Sequence, residues 1–325
     1  MCPSSERARL AAACTRLGAW LLGATLAVVG ASAAHATPPK AHTVASSAAD
    51  TITDDRGRLV RTVPRAKRVV ALAPHITELV IALGAANRLV AVDPHSDAPE
   101  AASLARVAAY PAVDPERILA LSPDLVMVWG DGLSQTTLAR LEALGLRVFV
   151  SRPLTLDDVG GAIERLGMLI ATTADPVAIS RQFRERLSAI TGRHVRSTEP
   201  SVFVQLWETP LITLGSRSVM ADAFKRCGAR NVFSFPDAGS QRVSPEAVML
   251  AAPQLVVSTV SGAGDTRWRQ LGLVGDRPGQ ARFLSFVDPL LERPSPRMLD
   301  SLERLCAAID SALPQAAHRT RRSGD

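Results

Sequence analysis

An eleven-residue pattern occurs twice in this chain, at 116–126 and again at 246–256. Glu116-Arg117-Ile118-Leu119-Ala120-Leu121-Ser122-Pro123-Asp124-Leu125-Val126 returns as Glu246-Ala247-Val248-Met249-Leu250-Ala251-Ala252-Pro253-Gln254-Leu255-Val256, and Pro115 and Pro245 precede the two copies. Proline suits the first helical position, because it has no N–H to satisfy and its φ is already helical. A second proline followed by an apolar run then starts a strand. Each copy is therefore a short helix feeding a buried strand, and two copies predict a two-lobed pseudo-repeat.

The flanking sequence extends this alternation. Strand runs at Arg68–Leu72, Leu89–Val92, Asp124–Trp129 and Val148–Val150 are separated by helical periodicity at 76–83, 115–121 and 134–144. Strands at Ser201–Leu206, Gln254–Ser258 and Ser285–Val287 and helices at 217–227 and 295–313 build a second block. Between Thr155 and Arg196 only helical spacing is present, interrupted by Pro176. Strands alternating with helices argue parallel sheets with helices on both faces. The predicted fold is α/β, two Rossmann-like lobes with mainly parallel sheets joined by one long backbone helix. Its boundaries are a leader and short hairpin at 37–65, a first lobe at 66–160, a connecting helix at 161–198 and a second lobe at 199–313.

Residues 1–36 carry arginines at 7, 9 and 16, an apolar run from Leu17 to Val29 and small residues ending in Ala34-His35-Ala36, the layout of a cleaved secretory signal. An uncleaved anchor is the alternative, although the apolar stretch is short for a span. Export places the mature chain outside the cytoplasm and leaves two of the four cysteines, Cys227 and Cys306, either bonded to each other or buried as separate thiols. The formal charge of +6 sits mostly at the ends: +2 in residues 1–36 and +2 in the basic tail 314–325, leaving +2 for the body. So balanced a body has no footprint for nucleic acid.

Motifs for covalent or phosphate chemistry are missing: there is no Gly-x-Ser-x-Gly, Gly-rich phosphate loop, His-Glu-x-x-His or Cys-x-x-Cys. The expectation is a binding protein, not an enzyme. In a two-lobed α/β protein the ligand lies beyond the carboxyl ends of the strands. The loops there include 74–77, 93–99, 129–132, 207–210 and 288–293. Aromatics make up only 4% of the chain, so Trp129, Trp207 and the single tyrosine, Tyr110, are its chief flat surfaces. His75, Glu78 and His95 are potential metal ligands. The alternative is that His75 satisfies free backbone donors at a helix start and that His95 is solvated.

Leu72-Ala73-Pro74-His75-Ile76-Thr77-Glu78-Leu79, the Pro-Glu and Pro-Asp-Leu-Val blocks, Cys227-Gly228, Val243-Ser244-Pro245-Glu246 and Glu292-Arg293-Pro294-Ser295-Pro296-Arg297 together resemble the helical-backbone periplasmic receptors for metal chelates. The Glu-Arg-x-Ser-Pro-Arg run and the cysteine pair select their corrinoid branch. This resemblance implies a monomeric class III receptor that delivers cobalamin to an inner-membrane ABC permease and has no intrinsic cofactor. It further implies that Glu116 and Glu246 dock on the permease and that Cys227 bonds Cys306. Tyr110 and Trp129 would contact the corrin, with His95 at a tyrosine's position. The second-lobe contact loop would be Pro289, Leu290, Leu291, Glu292 and Arg293, and Ser240 stands where an aromatic is expected. Haem or ferric-siderophore capture is the alternative within the same fold. Haem would use Tyr110, His75 or His95 as axial ligand, whereas siderophores call for several cleft arginines, of which Arg293 is the one clear example.

Overall fold

The computed structural model describes residues 50–108 and 113–313. The signal segment, most of the leader, Tyr110 and the basic tail lie outside the described residues. Strands β1 (Thr51–Thr53) and β2 (Leu59–Arg61) form an antiparallel hairpin whose turn contains Gly57 at φ +78°. The first lobe follows with β3 (Val69–Leu72), α1 (Pro74–Ala82), β4 (Leu89–Val92), β5 (Ala105–Arg106), α2 (Pro115–Ala120), β6 (Leu125–Trp129), α3 (Gln135–Ala143) and β7 (Val148–Ser151). Its sheet runs β5-β4-β3-β6-β7, with every pairing parallel. All of β3 and β7, and β6 up to its last residue, are buried. Such continuous apolar runs are what a parallel sheet covered on both faces requires.

The connector predicted at 161–198 resolves into two helices, α4 (Leu156–Leu169) and α5 (Pro176–Arg193). Thr155 and Asp158 form a reciprocal capping box that starts α4 ahead of the predicted boundary. Ile170 leaves the helix in an extended conformation and bridges to Ala66. Asp175 caps α5 by accepting from the amides of Val177 and Ala178, with Pro176 at its first position. A Cβ on Gly167 would stand 2.0 Å from Pro176, so the two helices meet where only glycine fits. At eighteen residues, α5 is the long helix of the connector.

The second lobe comprises β8 (Ser201–Trp207), β9 (Ile212–Leu214), α6 (Val219–Arg226), β10 (Arg230–Asn231), β11 (Ser240–Arg242), α7 (Pro245–Ala251), β12 (Leu255–Ser258), α8 (Thr266–Gln270), β13 (Arg282–Ser285) and α9 (Met298–Ala312). Its sheet runs β11-β9-β8-β12-β13, with β10 also on β8. The strands β8, β12, β13 and β10 pair in parallel, while β9 and β11 add an antiparallel flank. Two predicted positions are corrected here. The strand expected at 285–287 lies at Arg282–Ser285, where it pairs with β12, and α9 starts at Met298 because the Arg-Pro-Ser-Pro run before it cannot sustain a helix.

The repeat is visible in backbone detail. Asp114 caps α2 by accepting from Arg117 N, and Ser244 caps α7 by accepting from Ala247 N. Each helix is followed by a residue of positive φ, Ser122 at +46° and Ala252 at +43°. Asp124 N then bonds Arg68 O, and Gln254 N bonds Ser201 O, which lays β6 beside β3 and β12 beside β8. Cys227, which ends α6, is disulfide-bonded to Cys306 in α9 with Cα atoms 4.8 Å apart, and both residues are buried in the second-lobe core. The bond decides between the two cysteine alternatives that composition leaves open.

Candidate ligand-binding cleft

A cavity of about 450 Å³ opens at the carboxyl ends of β3, β4 and β6. Its first-lobe wall is Leu72 to His75, Asp93, His95, Val128, Trp129, Gly132 and Leu133, and it is closed on the other side by Pro289, Glu292, Arg293 and Pro294. The lining is largely apolar with a few polar groups, the usual composition of a small-molecule site.

Trp129 is the last residue of β6 and is 45% exposed, unlike the four strand residues before it. Its ring lies over Gly132, where a Cβ would come within 2.8 Å of Cε3. The loop carrying this ring is braced from behind: the Arg56 guanidinium of the hairpin turn donates to the carbonyls of Gly130 and Leu133, and Arg152 pairs with Asp131 at 2.7 Å. The indole is thereby presented as a fixed platform, at little entropic cost to a ligand that stacks on it.

His75 sits in the first turn of α1, but it does not cap the helix. It is buried, its Nε2 has no hydrogen-bond partner, and desolvation pushes its pKa down to about 3. The expectation that it satisfies backbone donors is therefore corrected: it is a neutral imidazole among the residues that line the cavity. His95 is placed differently. Asp93 Oδ1 accepts from His95 N at 2.9 Å and from His95 Nδ1 at 3.0 Å, so one carboxylate fixes both backbone and ring, while the ring itself is 83% exposed.

Arg293 is not a free cleft arginine. Its Nη1 donates to Glu78 Oε1 at 3.1 Å and to Asp97 Oδ1 at 2.6 Å. Glu78, buried in α1, also accepts from Ser295 Oγ at 2.5 Å and Arg297 Nη1 at 3.2 Å. The hydrogen bond and charge of Arg293 hold the Asp97 carboxyl below its usual range. A first-lobe carboxylate is thus satisfied by three second-lobe donors, which takes Glu78 out of the predicted metal set, while Arg293, engaged through Nη1, still lines the cavity.

Of the other sequence-predicted contacts, Trp207 ends β8 half-exposed and donates Nε1 to Thr209 O, and Ser240 is exposed at the start of β11. Neither lines the cavity, nor does Leu290, and Leu291 is buried in the second-lobe core. Asp93 and Leu133 line the site without having been singled out. The Asp-Pro-His spacing is the available signal for the first, since an Asp side chain readily bonds the amide two residues on.

Glu116 and Glu246 occupy the second positions of α2 and α7. Glu246 is fully exposed, and its pKa is lowered by its own backbone N–H and the Ser244 hydroxyl. Glu116 is also exposed but accepts from Arg140 at 2.5 Å. Beside them Leu250 is 89% and Leu119 43% exposed.

The sequence pattern of the periplasmic binding protein family matches residues 69–270. A vitamin B12-binding protein of Vibrio cholerae is 34% identical over 254 residues, covering 77% of this chain and 91% of the relative. One from Yersinia pestis is 32% identical over 247 residues, covering 76% and 87%. Among solved structures, the periplasmic vitamin B12 binding protein BtuF of Vibrio cholerae superposes with a TM-score of 0.67 at 31% identity, covering 76% of this chain and 98% of that one. A periplasmic haem-binding protein from Roseiflexus, at 23% identity, 76% and 99% coverage and a TM-score of 0.62, shares the fold.

Proposed function

The chain belongs to the periplasmic binding protein family, and on that premise we propose that it captures cobalamin or a related corrinoid in the cleft and delivers it to an ABC permease. The observation that carries this reading is the cavity itself, whose polar groups are few and whose one broad aromatic face, Trp129, is held in place by the hairpin. A corrin is a wide, mostly apolar disc fringed with amides. It matches a braced indole below, prolines opposite, and a neutral imidazole able to exchange a hydrogen bond with an amide. The relatives that cover most of the chain carry vitamin B12 in their names.

Capture requires no bond to be made or broken. Glu78 and its three donors tie the lobes together beside the ligand, and the helical connector resists bending, so closure is modest. The protein acts as a monomer in the periplasm after its signal segment is removed near residue 36. Delivery uses Glu116 and Glu246, one on each lobe, each at a helix start where backbone N–H groups favour a carboxylate awaiting a permease arginine. The exposed Leu119 and Leu250 beside them supply apolar contact area.

Calorimetric and spectral titration of the mature protein with cobalamin, its base-free precursor and haem tests the reading. Tight saturable binding of a corrinoid is expected, weakened in Trp129→Ala. Absence of corrinoid binding together with tight haem binding would sink it.

A further inference from the structure

We propose that His95 supplies an axial nitrogen to the metal of the bound chelate. Asp93 accepts from His95 Nδ1. A carboxylate can only accept, so the proton stays on Nδ1 and the lone pair of Nε2 is free. An imidazole whose other nitrogen is held by a carboxylate is the usual preparation of a metal-ligating histidine, since the partner fixes tautomer and orientation and raises basicity. The ring lines the cavity and is largely exposed, and among the described residues no protein group bonds its Nε2.

Among the described residues there is no group of three or more His, Cys, Asp or Glu able to hold a bare metal ion. A single prepared imidazole therefore suits a metal that brings its other ligands with it. His75, the other cavity histidine, has Nε2 sealed from solvent and, among the described residues, no carboxylate bonded to its ring. It is the poorer donor on both counts.

Resting on the corrinoid reading above, the inference narrows the preferred cargo to corrinoids with an exchangeable axial position, base-free or base-off. The step is a ligand substitution: water leaves cobalt, the Nε2–Co bond forms, and neither the proton count nor the oxidation state changes. The same chemistry is open to haem iron, so the test includes both.

The full mature chain is titrated with aquocobinamide. The expected result is a visible-band shift away from the aquo form and, after reduction to Co(II), electron paramagnetic resonance splitting from one nitrogen nucleus. His95→Ala should abolish both signatures. Asp93→Ala should weaken cobinamide binding by roughly 10- to 100-fold, the usual effect of removing a ligand's carboxylate partner. His75→Gln should keep the splitting, and circular dichroism confirms that each variant is folded. Calorimetric binding of cobinamide with an unchanged aquo spectrum overturns the axial role and leaves corrinoid capture standing. Failure of every corrinoid to bind overturns both. A splitting lost in His75→Gln but kept in His95→Ala, or a His95-dependent shift seen with haem alone, also overturns the proposal.

Discussion

The two lobes share half of their construction and differ in the other half. In both, a capped Pro-Glu helix passes through a positive-φ residue into a central buried strand. The strand beside it then leads to different structures: β3 runs into α1, whereas β8 turns back through the β9 hairpin. The shared half carries the outward glutamates. The divergent half decides the cleft, because a helix after β3 places His75 and Glu78 at its edge, while the hairpin after β8 carries Trp207 away from the cavity lining. The cavity lining thus comes mostly from the first lobe, and the second contributes the opposing wall and the disulfide.

The disulfide gives the largest test of this asymmetry. Its closed loop separates the cysteines by 79 residues, for which chain entropy gives about 4 kcal/mol. Cys227→Ala with Cys306→Ala should lower stability by that order in denaturant unfolding. Hydrogen exchange should locate the loss in α6 and α9 and spare α1. Equal loss of protection in α1 would show that the lobes do not differ in how they are held.

Next is the tie between the lobes. Removing one partner of a buried ion pair leaves the others unsatisfied and costs about 3 kcal/mol or somewhat more. Glu78→Ala should therefore destabilise by about 3 kcal/mol, and small-angle scattering should show a wider distribution of lobe separations. A variant as stable and as narrowly distributed as the parent would mean that the connector alone sets the geometry.

His75 yields a pH test confined to the first lobe. Its folded pKa of about 3 lies below the ordinary 6.5. As pH falls, the unfolded chain binds the proton first, so stability is full above 6.5 and declines as pH approaches 3. Between pH 7 and pH 4 the parent should lose about 2 to 3 kcal/mol more than His75→Gln. Parallel curves for the two proteins would mean that the imidazole is solvated.

Much of the shared half is legible because its causes are local. Proline at helix starts, Asp114 and Ser244 as caps, and apolar runs after Pro123 and Pro253 each act within a few residues. The divergent half is less legible. The β11 strand, Ser-Gln-Arg, is exposed throughout and owes its conformation to β9 rather than to its own sequence. The partners of Glu78 lie more than two hundred positions away, so no spacing announces them. The Asp93–His95 pair lies between these cases, local enough to find but short enough to pass for an ordinary turn.

The smallest expected effect concerns the shared half, where the two glutamates proposed to dock on the permease are not equivalent. Among the described residues Glu246 is fully exposed and forms no ion pair, whereas Glu116 is held by Arg140. In the proposed docking, a permease arginine would meet Glu246 directly but would have to displace Arg140 to reach Glu116. Both side chains of that pair are more than half exposed, so the pair is screened and worth under about 1 kcal/mol. Displacement is then a small penalty rather than a block. Glu246→Ala should weaken binding to the reconstituted permease roughly tenfold, as expected for loss of a charged interface contact, and Glu116→Ala by less. Arg140→Ala should bring the Glu116 effect up to that of Glu246, measured by surface plasmon resonance at low and high salt. If Arg140→Ala instead weakens docking, the arginine is itself a contact, and the lobes present different charges to the permease rather than the same charge differently covered.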